Sequence, residues 1–196
     1  MKSLTLEQLK SLDREGWLCF QLPDLWLRLR DQAQILCQQD QLKFSEIKTS
    51  HPNHDSQLIR NDLVCWLSSD TVVASEKKFS QYINLWMSEI KNYFRIGLDH
   101  FEAHYALYPA DHFYLRHSDQ KKEQNQRQFS FVYYLNASWK NTQGGELVGY
   151  HGSSKLQKFN VKPQGGSLVI FKSDIEHEVL ASHADRFSIS GWMRTP

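Results

Sequence analysis

The sequence predicts an α+β, mainly β fold, with helices in the first half of the chain and strands in the second. Apolar residues recur at spacings of three and four in "EKKFSQYINLWMSEIKNYFRIG", a pattern typical of an amphipathic helix that ends at Gly97. After Gly97 the chain consists of short segments rich in aromatic and β-branched residues, separated by turns such as "NTQGG" and "KPQGG". Many short strands at this spacing indicate an all-β barrel or sandwich, with helices buttressing one face.

The other elements follow from local signals. Thr5 and Gln8 fit a capping box, which predicts a helix over 6–15 that ends at Gly16. "WLCF" has the composition of a strand, and "LPDLWLRLRDQAQILCQQ" that of a second helix with Asp24 near its start. Residues 40–57 are polar and predict a loop. The predicted strands of the second half are "FEAHYALY", "FYLRHS", "RQFSFVYYLN", "GGELVGYH", "KFNV", "GSLVIF", "HEVLAS" and "RFSISGWM".

Length and composition limit the class of protein. The chain has 196 residues, which suits one domain over 1–196, with helical support over 1–100 and a β core over 101–196. A net charge of +1 gives no basic excess for nucleic acid, and no apolar run approaches the ~20 residues of a membrane span. Cys19, Cys37 and Cys65 are odd in number and widely spaced, which predicts buried thiols in a reducing compartment. We therefore expect a cytoplasmic protein, with no prediction of oligomeric state.

A histidine and an acidic residue lie one residue apart three times, in His100-x-Glu102, His117-x-Asp119 and His183-x-Asp185. Nine histidines and 22 acidic residues in 196 positions give about one such pair by chance, because 9 × 22/196 is about 1. The motif alone therefore carries little weight, and any one copy can be ordinary surface. On a strand, however, residues i and i+2 project from the same face and can bind one ion together.

Non-haem Fe(II) oxygenases need a second histidine to complete a facial triad, which leaves positions for a bidentate 2-oxo acid and for O2. An arginine is the preferred partner for the far carboxylate of that acid. His117 and Asp119 meet both demands, because His177 and then Arg186 follow in strand-like segments. His183 has no later histidine, and the possible partner of His100 lacks a suitably placed arginine.

The chain resembles the 2-oxoglutarate- and Fe(II)-dependent dioxygenases, and more narrowly the EGL-nine (hypoxia-inducible-factor) type of prolyl hydroxylase and its bacterial relatives. The resemblance covers residues 55–193. It implies a double-stranded β-helix (jelly-roll) core supported by N-terminal helices. The matching pieces, in order, are "IRNDLVCW", "YPADHFYLRHSD", "FVYYLN", "GGEL", "FKSDIEHEV" and "RFSISGW".

The resemblance also implies roles for individual residues. His117, Asp119 and His177 correspond to the Fe(II) ligands, and Arg186 to the arginine that pairs with 2-oxoglutarate, assisted by the hydroxyl of Tyr134. The residues that line the co-substrate pocket correspond to Tyr108, Leu147 and Trp192, the last two of which can also be plain core.

A second set of matches lies at the predicted substrate entrance, which we call the rim and define by Arg60, Asp62 and Arg127. In the EGL-nine type, an acidic residue of the "IRxD" segment pairs with an arginine just before the "YYLN" strand. The resemblance therefore implies an Asp62–Arg127 pair with Arg60 beside it, and an ordinary surface ion pair is the alternative. The segments 45–56 and 120–128 depart from the family, and because they border the entrance they leave the substrate undecided.

The function implied is hydroxylation of a C–H bond with release of succinate and CO2, using Fe(II), 2-oxoglutarate and O2, with ascorbate as a possible reductant. The resemblance favours a prolyl residue of a protein substrate, such as a translation factor. Three alternatives stay open: hydroxylation of a free amino acid or small metabolite, a non-catalytic binding barrel, and a cupin-like metalloenzyme of another reaction type. In a cupin-like metalloenzyme, Arg186 would have no assigned role.

Overall fold

The architecture is that of a computed structural model, which describes residues 2–23, 25–45, 47–48, 58–120 and 125–196. The helices are α1 (Leu6–Glu15), α2 (Trp26–Gln38) and α3 (Ala74–Phe94). The strands are β1 (Trp17–Gln21), β2 (Lys43–Phe44), β3 (Ile47–Lys48), β4 (Leu58–Arg60), β5 (Leu63–Trp66), β6 (His100–Tyr108), β7 (Tyr114–His117), β8 (Arg127–Tyr134), β9 (Leu147–Tyr150), β10 (Gln157–Val161), β11 (Ser167–Lys172), β12 (His177–Val179) and β13 (Arg186–Arg194).

Within the described ranges, the strands form two antiparallel sheets that face each other. The larger sheet has seven strands in the order β1-β11-β8-β13-β6-β5-β2, and the smaller has six in the order β10-β9-β12-β7-β4-β3. Neighbours that are distant in sequence, such as β8 and β13, are the mark of a jelly roll. The predicted α+β, mainly β class with a double-stranded β-helix core is confirmed.

The larger sheet buries both of its faces, and β8 shows how. Phe129, Phe131 and Tyr133 point to one side and join the core formed with the helices. Val132 and Tyr134, which alternate with them, point to the other side and join the core between the two sheets. The helices therefore cover the outer face, and the inner face is left to form a site.

The first helix begins and ends where the sequence predicts. Thr5 accepts from the Gln8 backbone and Gln8 reaches back to the Thr5 backbone, so the capping box is complete. Gly16 closes the helix in the left-handed conformation at φ 77. The second helix starts at Trp26 after an N-cap, Leu25, that makes no side-chain cap bond. The role predicted for Asp24 lies outside the described residues.

Three sequence predictions about the first half are wrong. Helix α3 ends at Phe94 with Arg95 in the left-handed conformation, so Gly97 is not its stop. The predicted loop over 40–57 contains β2 and β3, which pair with β5 and β4; residues 46 and 49–57 lie outside the described part. The cysteines are not buried thiols, because Cys19 and Cys37 are exposed and Cys65 is half-buried.

No helix in the described ranges is long and apolar enough to cross a bilayer.

Gly149 gives a test of core packing at the smaller sheet. A Cβ added there would lie 2.3 Å from the Phe159 ring, well inside van der Waals contact. We expect Gly149→Ala to lower the free energy of unfolding by about 1–3 kcal/mol, because the ring has to leave its rotamer. Urea unfolding measures this.

Gly97→Ala is the matched control for that substitution, because a Cβ at Gly97 meets nothing within 4 Å. We expect Gly97→Ala to leave stability unchanged or to raise it by up to about 1 kcal/mol through the unfolded state. Equal unfolding midpoints for the two variants would contradict the close contact between Gly149 and Phe159.

Candidate active site

Two strands of the smaller sheet bring the predicted metal ligands together. In the β7–β12 ladder His177 lies directly opposite His117, and their ring centroids are 4.4 Å apart. Asp119 follows β7 by two residues and lies between them, with one carboxylate oxygen 3.5 Å from Nε2 of His117 and the other 3.5 Å from Nε2 of His177. The ligand atoms of all three lie within 4.8 Å of one another, close enough to share one ion.

The backbone fixes which imidazole nitrogens face the ion site. Nδ1 of His117 lies 2.7 Å from the Leu115 carbonyl, and Nδ1 of His177 lies 2.9 Å from the Ile175 carbonyl. A carbonyl oxygen can only accept, so each Nδ1 carries the proton and each Nε2 presents its lone pair to Asp119. Burial lowers the pKa of His177 to about 4, which keeps this ring neutral and able to bind a metal.

Asp119 is held in its charged form. Burial alone would raise its pKa, but His177, His117 and the Ser130 hydroxyl outweigh burial and keep the pKa well below its usual range. Ser130 donates to Asp119 Oδ2 at 2.7 Å, and its oxygen is 2.9 Å from Ser173 Oγ. This pair of hydroxyls orients the carboxylate from behind, as outer partners of metal ligands do.

The serine contact predicts a measurable effect on metal binding. We expect Ser130→Ala to weaken Fe(II) binding by about 10–100-fold, because the carboxylate loses its orienting donor while the fold keeps its core. Titration of the metal-free protein with Fe(II) under anaerobic conditions measures the affinity. Ser154→Ala, in an exposed turn, is the control and should bind as the wild type does. Wild-type affinity in Ser130→Ala would mean that Asp119 needs no such support.

Arg186 is a buried cation at the start of β13. It is 1% exposed, and its side chain contacts the Gly145 carbonyl at 2.8 Å and Ser188 Oγ at 3.5 Å, both of which are neutral. Gly145 can approach this closely because it has a left-handed backbone, at φ 72, and no Cβ. A buried guanidinium whose side-chain contacts are all neutral suits an anion with carboxylate geometry.

The rings around Arg186 belong to two predicted pocket tyrosines. The guanidinium carbon lies 5.0 Å from the Tyr108 ring centroid and 5.1 Å from that of Tyr134. The Tyr134 hydroxyl is buried and makes no hydrogen bond within the described part of the chain, which is costly unless a ligand supplies one. Tyr133 faces the other way and donates to the Leu22 carbonyl, so Tyr134 is the inward member of the pair. Arg186 and Tyr134 together fit the far carboxylate of 2-oxoglutarate.

The triad and Arg186 line one cavity between the sheets. Leu147, Tyr108 and Trp192 line it. Leu147 and Trp192 are therefore more than plain core, because each presents a surface to the same space as the triad. The apolar walls exclude water from the place where the chemistry would occur.

At the rim, the predicted Asp62–Arg127 ion pair is wrong. Asp62 is fully buried and pairs with Arg60, whose Nε lies 2.6 Å from its carboxylate. Arg127 instead donates to Glu102 at 2.7 Å and stacks over the Trp192 ring at 3.6 Å. Arg127 therefore pairs with a different carboxylate from the one that the resemblance implies.

The other two His-x-acid motifs lie outside the triad. Glu102 pairs with Arg127 and Arg194, so its role is structural. His183 is exposed and lies 3.4 Å from an oxygen of Asp111.

Sequence reasoning missed two residues that touch the triad. Nothing in the sequence distinguishes Ser130 or Tyr114 from the other residues of their strands. Tyr114 stacks on His117 at 3.6 Å and lines the cavity. Strict alternation would place Tyr114 and His117 on opposite faces, but a bulge in the β7–β12 ladder breaks it: His177 pairs with His117, and Val179 with Tyr114. No local signal in the sequence marks this bulge.

A jelly roll that carries two histidines and one aspartate around a single point, beside a buried arginine, has the features of a non-haem iron oxygenase. The family model described as "2OG-Fe(II) oxygenase superfamily" matches residues 103–194. Over those residues the chain is similar to this superfamily, and a solved prolyl-4-hydroxylase is among the structures that share its fold. Fe(II), 2-oxoglutarate and O2 are the cofactor and co-substrates of the family, and the His–Asp–His donor set of this chain fits Fe(II).

Two solved structures share the fold of this chain. A Pseudomonas putida prolyl-4-hydroxylase structure is similar over 97% of this chain and 98% of its own, with 28% identity and a TM-score of 0.85. A Trichoplax adhaerens prolyl hydroxylase, solved with a hypoxia-inducible-factor peptide fragment, shares the fold over 95% and 86% of the two chains, with 23% identity and a TM-score of 0.76.

Rat Egl nine homolog 1 is 26% identical over 151 residues, which cover 73% of this chain and 44% of the relative. The chain thus spans less than half the length of the curated Egl nine relatives that it matches.

Proposed function

We propose that the chain hydroxylates a prolyl residue of a protein substrate, consuming O2 and 2-oxoglutarate and releasing succinate and CO2. One oxygen atom of O2 enters the new hydroxyl group and the other enters succinate, so the reaction balances. The observation that carries the proposal is the shared cavity: His117, Asp119 and His177 converge on one point, and the buried Arg186 faces the same space with only neutral side-chain contacts.

The proposed roles follow from the contacts. His117, Asp119 and His177 hold Fe(II), and the Nδ1 bonds to backbone carbonyls fix both rings. Arg186 and Tyr134 bind the far carboxylate of 2-oxoglutarate and so set its orientation. Bound Fe(II) supplies the redox chemistry that couples oxidation of 2-oxoglutarate to oxidation of the C–H bond.

The side chains that line the cavity have two further roles in the proposed function. Leu147 and Trp192 keep water away from the ion, and Tyr114 packs flat on His117 and limits movement of that ring. Because these side chains are placed before any ligand arrives, little reorganisation is needed at the time of reaction.

The choice of prolyl residue and protein substrate draws on the relatives. One similar structure is named a prolyl-4-hydroxylase, and another holds a peptide of the hypoxia-inducible factor. We further propose that the chain acts in the cytoplasm, where free thiols such as those of its three cysteines stay reduced and iron stays ferrous. A translation factor as the target stays a prediction.

The test is incubation of a cell lysate with the protein, Fe(II), ascorbate and 2-oxoglutarate, followed by peptide mass spectrometry. We expect one added oxygen atom on proline in a small set of peptides, and none with Asp119→Ala. Succinate formation without any modified peptide would move the assignment to a free amino acid or small metabolite. No succinate under any condition would leave a non-catalytic barrel.

A further inference from the structure

One buried polar side chain beside the triad has no task in the function proposed so far. His104 lies on β6, is 3% exposed, and its Nδ1 has no hydrogen-bond partner among the described residues. It lines the cavity that holds the triad and also the outer opening next to the rim, so it lies where the two spaces meet. An unsatisfied buried nitrogen costs free energy in the folded protein, and a ligand can recover that cost.

The His104 ring is held in place from two sides. Trp66, its partner in the β5–β6 ladder, lies 5.0 Å away between ring centroids, and Trp192 lies 5.4 Å away. Trp66 is 56% exposed and extends toward the outer opening, whereas Trp192 lines the inner cavity. The indoles give the imidazole apolar packing, and none of the described residues gives Nδ1 a hydrogen bond.

Charged groups near His104 already have partners. Arg60 binds Asp62, Arg127 binds Glu102, and Asp119 accepts from Ser130. Burial lowers the pKa of His104 to about 4, so at neutral pH the ring is uncharged and offers one donor and one acceptor. Such a group suits a neutral polar partner better than a carboxylate or an ammonium group.

The backbone chemistry of a prolyl peptide indicates which neutral group would bind His104. A prolyl residue has no backbone N–H, so the polar backbone groups on either side of its ring are carbonyl oxygens, which only accept. We propose that His104, through a protonated Nδ1, donates a hydrogen bond to a peptide carbonyl of the substrate next to the C–H bond that reacts. His104 is then a substrate-binding residue that selects an acylated, peptide-bonded target over a free amino acid. This inference rests on the proposed function and specifies its substrate class.

Two substitutions separate hydrogen bonding from packing. His104→Leu fills similar space without a donor, and His104→Asn keeps an N–H group close to the position of Nδ1. His100→Leu, on the same strand but exposed, is the matched control. The probe is a pool of capped pentapeptides with central proline, acetyl-X-X-Pro-X-X-amide, supplied with Fe(II) and 2-oxoglutarate. Hydroxylated peptide and succinate are both counted, because poor folding lowers the two together and leaves their ratio unchanged.

We expect His104→Leu to lower kcat/KM for the peptides by about tenfold or more and to raise the ratio of succinate to hydroxylated peptide. His104→Asn should recover kcat/KM to within about threefold of wild type, and His100→Leu should match wild type. Equal losses in the Asn and Leu variants, or no loss in either, would overturn the inference. No succinate from wild type would instead defeat the proposed function, and succinate without hydroxylated peptide would defeat only the peptide assignment.

A second readout does not depend on turnover. In protein with ¹⁵N-labelled histidine and Zn(II) in place of Fe(II), the Nδ1 signal of His104 should move when the peptide pool is added after saturation with 2-oxoglutarate. Movement on addition of 2-oxoglutarate, with none on addition of peptide, would assign His104 to the co-substrate and overturn the inference.

Discussion

Asp119→Ala should abolish succinate formation. Its carboxylate is the only anionic member of the triad, and the carboxylate oxygens face Nε2 of both histidines at 3.5 Å. Loss of an outer partner of a metal ligand typically costs 10–100-fold in metal affinity, so loss of the ligand itself should cost at least about 100-fold. Anaerobic Fe(II) titration and succinate release measure the two effects.

The other His-x-Asp motif supplies the control. His183→Ala removes a histidine that is exposed and outside the triad, and we expect wild-type iron binding and turnover. A thermal unfolding midpoint for metal-free Asp119→Ala, measured beside metal-free wild type, separates loss of the ligand from loss of the fold. Wild-type turnover by Asp119→Ala would refute the iron site.

Arg186→Met should raise the 2-oxoglutarate requirement by about 30-fold to more than 1,000-fold. Removing one partner of a buried, hydrogen-bonded charge pair costs about 2–5 kcal/mol, and each 1.4 kcal/mol is a factor of ten. Arg186→Lys keeps the charge but loses the planar fork, so it should fall between Met and wild type. The steady-state KM for 2-oxoglutarate, measured at saturating iron, gives the order of wild type, Arg186→Lys and Arg186→Met.

Stability gives Arg186 a second test that needs no turnover. Without 2-oxoglutarate, the buried guanidinium has neutral side-chain contacts, so Arg186→Met should unfold at the same temperature as wild type or higher. With 2-oxoglutarate at 100 times the wild-type Kd, wild type should gain about 2.7 kcal/mol and Arg186→Met less than about 1 kcal/mol. Arg28→Met, exposed on α2, should respond as wild type does. An equal response by Arg186→Met would remove Arg186 from the co-substrate site.

The triad could be predicted because its ligands follow rules that act along the chain. His117 and Asp119 satisfy the two-residue spacing near the end of a strand, and His177 and Arg186 follow in the required order. Because neighbours on a strand face opposite sides, only one of Tyr133 and Tyr134 can face inward, and the resemblance selects Tyr134, which the structure places in the core between the sheets.

The ion pairs of the rim residues could not be predicted in this way. Arg127 has several carboxylates within reach of its long side chain, and the nearest, Glu102, comes from a strand two places away in the sheet order. The resemblance favoured Asp62 as its partner, but Asp62 is taken by Arg60, two residues away. Partner choice among competing charges depends on distances of a few ångströms, which spacing along the chain does not encode.

By itself, the sequence determined the three helices, the main strands of the second half and the set of side chains able to bind Fe(II) and a dicarboxylate. Hydrophobic periodicity and side-chain chemistry are local properties of the chain, and they do not depend on how the sheets are arranged. Only the tertiary structure decided that a bulge places Tyr114 on His117, that Ser130 supports Asp119, and that Nδ1 of His104, in the part of the chain that is described, has no partner. These facts depend on strand register and on side-chain contacts between distant segments, which become defined only when the chain has packed.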